Sequence, residues 1–283
     1  MLNPYNSVQL RNKSVPSSNF TPIRPVKRSA LTAFIDVVFA IFMRELKTRF
    51  GGMKLGIAWL LLEPIAFVLV FSLMFSFRSA GSVTPIPIPM MILTGLLAFK
   101  FWQTSMTALA NSATANKALF SYRQVKPLDC VISRALLENL IFICTFYILL
   151  ALFGWYGFDV RIDDPLKVLS AYTLLFMFGA GLGMTIAVVA LKFPDITKIV
   201  SLFSMPLMFV SGSFFTADMI PQAYWKYFSW NPIFQAIEMG RDGFFVNLNS
   251  QFVNYQYLVL SSLGTFTLGL TLFQLNKMKF VSS

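Results

Sequence analysis

Apolar residues fall in long runs along this chain, broken by short polar, acidic or proline-rich links. A helix that crosses hydrocarbon needs about 20 mainly apolar residues. Six stretches meet that length, at about 56–77, 90–112, 132–156, 168–190, 199–217 and 252–275. The breaks between them are "TPIPIP" (84–89), the polar "NKALFSYRQVKPLD" (116–129), the acidic "DVRIDDP" (159–165), "KFPDITK" (192–198) and a long aromatic connector, 218–250. Ahead of the first run the pattern changes. Leu31, Phe34, Ile35, Val38, Ile41, Phe42 and Leu46 recur at helical spacing over 29–50, and Arg44, Glu45, Lys47 and Arg49 crowd the end. Its apolar part, 30–43, is too short to cross comfortably, so the pattern predicts an amphipathic helix lying in the interface rather than a seventh span. Gly51 and Gly52 then supply the turn into the first span.

Composition agrees with this reading. The 283 residues are 56% hydrophobic and only 12% charged, where soluble domains carry about 25% charged residues. The mean hydropathy is +0.66. The fold class expected is an all-α integral membrane protein with six transmembrane helices per subunit. Residues 1–28 are polar, rich in proline and basic, and read as a flexible cytosolic tail with no cleavable leader. The net charge of +11 could suggest a nucleic-acid partner, but the basic residues sit beside apolar segments and make no soluble face. Their placement instead sets orientation. Arg44, Lys47, Arg49, Lys54, Lys117, Arg123, Lys126, Arg134, Lys192, Lys198, Lys277 and Lys279 fall on one side, against Arg78, Arg161, Lys167, Lys226 and Arg241 on the other. The positive-inside rule puts the richer side, and both termini, in the cytosol. With no histidine, a His-based triad or His-containing zinc site is excluded. Cys130 and Cys144 make no disulfide framework.

Intramembrane charge is the first candidate chemistry. Glu63 precedes Pro64 inside the first span, and Lys100 lies near the middle of the second. Such groups must be paired, neutralised or turned toward water. Two readings stay open: both line a polar conduit, or they pair with each other or with Arg134 or Glu138 to hold helices together. No GxxxxGK[ST] phosphate loop occurs, so the chain holds no P-loop of its own and any drive must come from a partner. Phe120, Tyr122, Arg123 and Lys126 in the loop 116–129 suit a docking element, since aromatics and arginine anchor interfaces; an ordinary basic loop is the alternative. The connector segment "PQAYWKYFSWNP" places Tyr224, Trp225 and Trp230 ahead of Asn231. Such rings anchor at a membrane edge, and they also stack on sugars or cover an exit. The acidic turn of Asp159, Asp163 and Asp164 reads as helix caps or solvent-facing charge.

The stretch "MRELKTRFGGMKLGIAWLLLEPIAFVLVFSLMF" (43–75) resembles the start of the ABC-2 type permeases that export polysaccharide. The pattern R-x-G-x-x-x-LG-x-x-W-x-x-L-x-P is carried by Arg49, Gly51, Leu55, Gly56, Trp59, Leu62 and Pro64. The acid before the proline looks most like the capsular polysaccharide branch. "LTGLLAFKFWQTSM" (93–106) is similar to the family's second span, although Lys100 is not expected there. Asn231, Pro232, Glu238 and Arg241 resemble the "NP...E..R" stretch before the last span. The similarity covers about residues 30–280 and makes 29–283 one ABC-2 type transmembrane domain.

The resemblance implies a homodimer around a central conduit, with two separate ATP-binding subunits docked on the cytosolic loops and ATP and Mg held there, not in this chain. It implies short periplasmic gate helices before the last span, with Tyr224, Trp225, Trp230, Asn231, Glu238 and Arg241 as gate residues. It also implies a location in the bacterial inner membrane, a lipid-linked acidic polysaccharide as substrate, and a periplasmic adaptor and outer-membrane export protein as partners. A conduit for an acidic polymer gains from cations and weakly stacking rings; Lys100, Glu63, Trp59, Phe67, Phe71 and Tyr224 are the candidates. The competing readings are an O-antigen or teichoic acid permease, an integral membrane glycosyl- or acyltransferase, and a channel. Against the enzyme stand the missing histidine and the lack of clustered membrane-edge acids resembling a catalytic or metal site, the turn of Asp159, Asp163 and Asp164 being the only cluster. No selectivity filter is visible for the channel.

Overall fold

The computed structural model describes residues 29–50, 56–78, 86–121, 124–246, 248 and 251–282. The expected tail 1–28, the turn at Gly51 and Gly52, and the docking candidates Tyr122 and Arg123 lie outside these. Every regular element among the described residues is helical. In chain order the helices are α1 (Ala30–Phe50), α2 (Gly56–Arg78), α3 (Ile88–Ala110), the single turn α4 (Ser112–Ala115), α5 (Pro127–Trp155), α6 (Pro165–Ala190), α7 (Ile196–Val210), α8 (Pro232–Phe244), α9 (Tyr255–Leu275) and α10 (Lys277–Ser282). Short 3-10 turns cover Lys117–Ser121, Ala217–Met219 and Gln222–Tyr227.

Proline and short polar side chains set where these helices begin. Pro127, Pro165 and Pro232 each open a helix at a position whose N–H would have no helical partner anyway. The preceding or nearby side chain then satisfies a free N–H. Asp164 accepts from Lys167 N at 3.0 Å, Asn231 from Ile233 N at 3.0 Å and Asn254 from Tyr257 N at 3.1 Å. Asp129 reaches back to Lys126 N at 2.9 Å, which starts α5 five residues before the apolar run at 132. The acidic turn therefore does cap a helix, through Asp164.

Helices occupy all six apolar stretches, with one change of substance. The fifth, expected to reach 217, stops at Val210. Ser211–Gly212–Ser213 breaks it: Gly212 has φ +72°, and a Cβ there would meet the Phe234 ring at 2.2 Å. Among the described residues α5, α6 and α9 are long and apolar enough to cross a membrane, the part Leu61–Phe75 of α2 is apolar, and α7 is a shorter apolar helix. Although 23 residues long, α3 is absent from that set. Lys100, Gln103 and Thr104 dilute its hydropathy, and it does not need a lipid-facing surface.

Helix α3 is the pillar of the bundle. It packs against α2, α5, α6, α7 and α8, and Ile92, Leu93, Leu96 and Phe99 are wholly buried. The most extensive pairing is α6 with α9. There the backbones touch: a Cβ on Gly269 would lie 2.2 Å from Gly181 O, so only glycine fits the crossing. Outward-facing Leu69, Leu73, Tyr147, Ile148, Leu202 and Phe203 leave the bundle with a broad apolar exterior.

Candidate functional site

The Glu-Pro pair of α2 faces α3. Lys100 Nζ donates to Glu63 Oε1 at 2.6 Å and stands 5.7 Å from the centre of the Phe67 ring. Both side chains keep about a third of their surface, 30% for Lys100 and 38% for Glu63. They border a narrow 90 Å³ cavity with Pro64, Thr104 and Phe142. The pair is therefore made, as one of the two sequence readings had it, and it is also open on one side. Phe67 stacks on Phe71, ring centres 6.0 Å apart, and Phe71 continues onto Phe214 at 4.1 Å. Trp59 is 61% exposed.

One turn along α3 a larger cavity of 570 Å³ opens between α1, α3, α4 and α5. Ion pairs seam its wall. Arg134 Nε donates to both oxygens of Glu45 at 2.9 Å, and its Nη1 to Ala108 O at 3.0 Å. Asn116 Nδ2 donates to Glu45 Oε1 at 2.6 Å, while Arg44 donates to Asn116 Oδ1. Arg49 pairs with buried Glu138. Arg134 and Glu138 thus tie α1 to α5 and leave Glu63 and Lys100 to each other. Ser133 Oγ, donating to Val38 O at 3.0 Å, adds a third tie. Sequence reading missed Glu45 and Asn116 here. The signal was available for Glu45, which lies four residues after Ile41 and seven after Val38, on the stripe of α1 that is buried. Leu31, Phe34 and Ile35 of the expected apolar face are exposed.

The six residues assigned to the gate separate into two groups. Tyr224 and Trp230 are exposed aromatics, and half-buried Trp225 donates from Nε1 to Ala217 O and Ile220 O at 3.2 and 3.0 Å. Asn231, Glu238 and Arg241 are buried polar groups inside the bundle. Asn231 Nδ2 donates to Ser211 Oγ at 3.1 Å. Arg241 donates to Glu238 Oε1 at 2.8 Å, to Phe215 O at 2.7 Å, to Met91 O at 2.9 Å and to Ser213 O at 3.3 Å. It thereby fastens α8 to α3 and to the irregular backbone after α7. The burial of this pair was not legible; its i, i+3 spacing was.

Of the docking candidates, Phe120 is half-buried against an apolar cluster that contains Val131 and Phe280, and Lys126 is exposed at the start of α5. Both line a 730 Å³ cleft with Phe34, Phe273 and Lys277.

Comparison with known proteins supplies what geometry alone does not. The ABC-2 type transporter family matches residues 36–245. The chain is 34% identical over 247 residues to the polysialic acid transport protein KpsM of Escherichia coli, covering 87% of this chain and 95% of that one. It is 33% identical over 237 residues to the capsule polysaccharide export inner-membrane protein CtrC of Neisseria meningitidis (83% and 88% covered). It is 31% identical over 242 residues to BexB of Haemophilus influenzae, likewise named a capsule polysaccharide export inner-membrane protein (83% and 89% covered). A continuous family match and relatives aligned along nearly their whole length, on an all-helical bundle with an apolar exterior, establish that this multi-pass membrane protein belongs to the ABC-2 type transporter family.

Proposed function

We propose that the chain is the transmembrane subunit of an ATP-driven exporter that moves lipid-linked acidic capsular polysaccharide across the bacterial inner membrane. The observation that carries this is the alignment with the polysialic acid and capsule export proteins along more than four-fifths of the chain. In this reading α2, α3, α5, α6, α7 and α9 are the six spans, both termini are cytosolic, and α1 lies in the cytosolic interface. Two copies surround the conduit. Two ATP-binding subunits carry ATP and Mg and dock on the segment 116–129, where Phe120 and Lys126 border an open cleft. The short helices between α7 and α9 form the periplasmic gate, and a periplasmic adaptor and outer-membrane export protein receive the polymer.

The chain's own part is to hold and release an anionic polymer. Half-open Lys100 is held by Glu63 and flanked by the Phe67 ring. A carboxylate on the passing polymer competes with Glu63 for the ammonium, which keeps one side open. Phe67 and Phe71 offer flat apolar surface without a second charge to trap the chain.

Deletion of the chain in its native host, followed by locating the polymer, tests the proposal. Acidic polysaccharide accumulating inside on a lipid terminus, with a bare surface, is the result expected. An intact capsule with O-antigen lost would transfer the protein to the O-antigen branch, to which the permease RfbA of Klebsiella pneumoniae belongs by name at 25% identity. A halt in synthesis on both sides would favour a membrane enzyme instead.

A further inference from the structure

A second cleft, of 640 Å³, opens where α8 and α9 begin, within the range of about 300–1,000 Å³ typical of ligand pockets. Its composition is unlike the rest of the surface. Four aromatics stand in its wall: exposed Trp230 and Tyr255, half-buried Tyr257 and buried Phe252. Four carboxamides accompany them, Gln235, Gln251, Asn254 and Gln256, and no lining residue carries a charge.

The cleft is also built rather than incidental. Trp230 Nε1 donates to Tyr227 O at 2.7 Å, and Tyr257 Oη donates to Trp230 O at 2.5 Å, so the indole is fixed at its edge while the residue stays 63% exposed. Buried Gln235 joins the two helices: its Nε2 donates to Ser229 O at 2.9 Å and its Oε1 accepts from Asn254 N at 2.8 Å. Gln251 and Gln256 are exposed, and their amides hold no bond among the described residues. Open ring faces beside free amide donors and acceptors match one ligand chemistry, a pyranose with an apolar C–H face and a rim of hydroxyls. A membrane-edge anchor needs only one ring with a polar tip; it has no use for the two outward amides of Gln251 and Gln256 beside an open cleft. A cation would require carboxylates, which are absent from the lining.

We infer that this cleft is an exit subsite that holds one or two sugar units of the exported glycan by ring stacking and amide hydrogen bonds, without reading their charge. The inference rests on the exporter reading and adds a place on the outer side where the polymer pauses. A neutral subsite following the cationic one at Lys100 lets an acidic chain leave without meeting a second electrostatic trap.

Photocrosslinking in the intact complex, in cells making their own polymer, tests it. p-Benzoylphenylalanine replaces Tyr255 or Gln256 in the cleft. It replaces Phe67 as a probe of the conduit and Trp155, 90% exposed at the far end of α5, as an aromatic outside both. The expected result is a polymer-bearing, high-mass form of the chain at the cleft positions, several-fold above the Trp155 position and absent when polymer synthesis is deleted. Capture of polymer at Phe67 but not in the cleft would overturn the subsite and leave the exporter standing. Crosslinks from the cleft only to lipid, or only to another protein, would make it an anchor or a partner surface and likewise overturn it. Equal capture at Trp155 would show mere exposure. Polymer captured nowhere, with surface polymer unaffected by deletion of the chain, would remove the exporter reading itself.

Discussion

Arg241 is the residue whose loss the bundle should tolerate least. Its side chain is wholly buried, paired with an equally buried Glu238, and donates to three backbone carbonyls. Arg241→Met leaves the Glu238 carboxylate without its counter-charge, and breaking a buried pair from one side costs about 3–5 kcal/mol. Two of the three carbonyls, those of Ser213 and Phe215, lie on non-helical backbone. Each loses a donor there, adding about 1–3 kcal/mol where the group stays dry. A total of about 5–8 kcal/mol is the expectation for the single variant. The double variant Arg241→Met/Glu238→Met removes both charges, so only the carbonyl loss remains and the cost falls to about 2–3 kcal/mol. Glu238→Gln keeps a hydrogen-bond acceptor for Arg241 and should fall between wild type and Arg241→Met. Denaturant titration of the purified chain in detergent, read by tryptophan fluorescence, gives the order. The reasoning fails if the double variant is as unstable as Arg241→Met, or if Arg241→Met costs less than about 1 kcal/mol, the range of an exposed pair.

Other outcomes follow from the same geometry. Lys100→Ala should lower surface polymer, and the charge swap Lys100→Glu/Glu63→Lys should not restore it; full recovery by the swap would reduce the pair to a helix tie. Gly269→Val must drive α9 off Gly181 and should abolish accumulation of folded protein, whereas Gly264→Ala, with nothing within 4 Å of its new Cβ, should be neutral or stabilising by about 0.5–1 kcal/mol; size-exclusion profiles after heating separate the two. Glu45→Ala should loosen α1 from α5, seen as a lower crosslinking yield between cysteines placed at Val38 and Ser133; an unchanged yield would show that apolar contacts alone seat α1.

What the sequence revealed depended on how local the physics was. Runs of about 20 apolar residues and the cap at Asp164 need no distant partner to be recognised, and all six apolar stretches are helical. The stop of α7 at Val210 was missed because Phe215 and its neighbours stay apolar after Gly212 turns the chain; only the approach of the Phe234 ring explains why glycine is there. The buried seam was harder still. Arg134 and Glu138 were available as partners for Glu63 or Lys100, and nothing in their spacing points to Glu45 and Arg49, 89 residues away. Arg241 and Glu238 could be paired from their spacing, yet their enclosure depends on α3 and the 211–217 backbone arriving from elsewhere in the chain. The family resemblance located that stretch and could not say that it is interior.

The early end of α7 has a bearing on the surrounding bilayer. Fifteen residues at 1.5 Å each reach about 22 Å, against a hydrocarbon thickness of about 30 Å. The irregular segment beyond Val210 is shielded by protein, and its carbonyls at Ser213 and Phe215 bond to a guanidinium instead of to a further helical turn. In the proposed six-span arrangement the outward face of α7, with Leu202, Phe203 and Phe209, therefore presents a hydrophobic wall about 8 Å shorter than the membrane it faces. Lipid against it must thin, or a neighbouring protein surface must replace lipid.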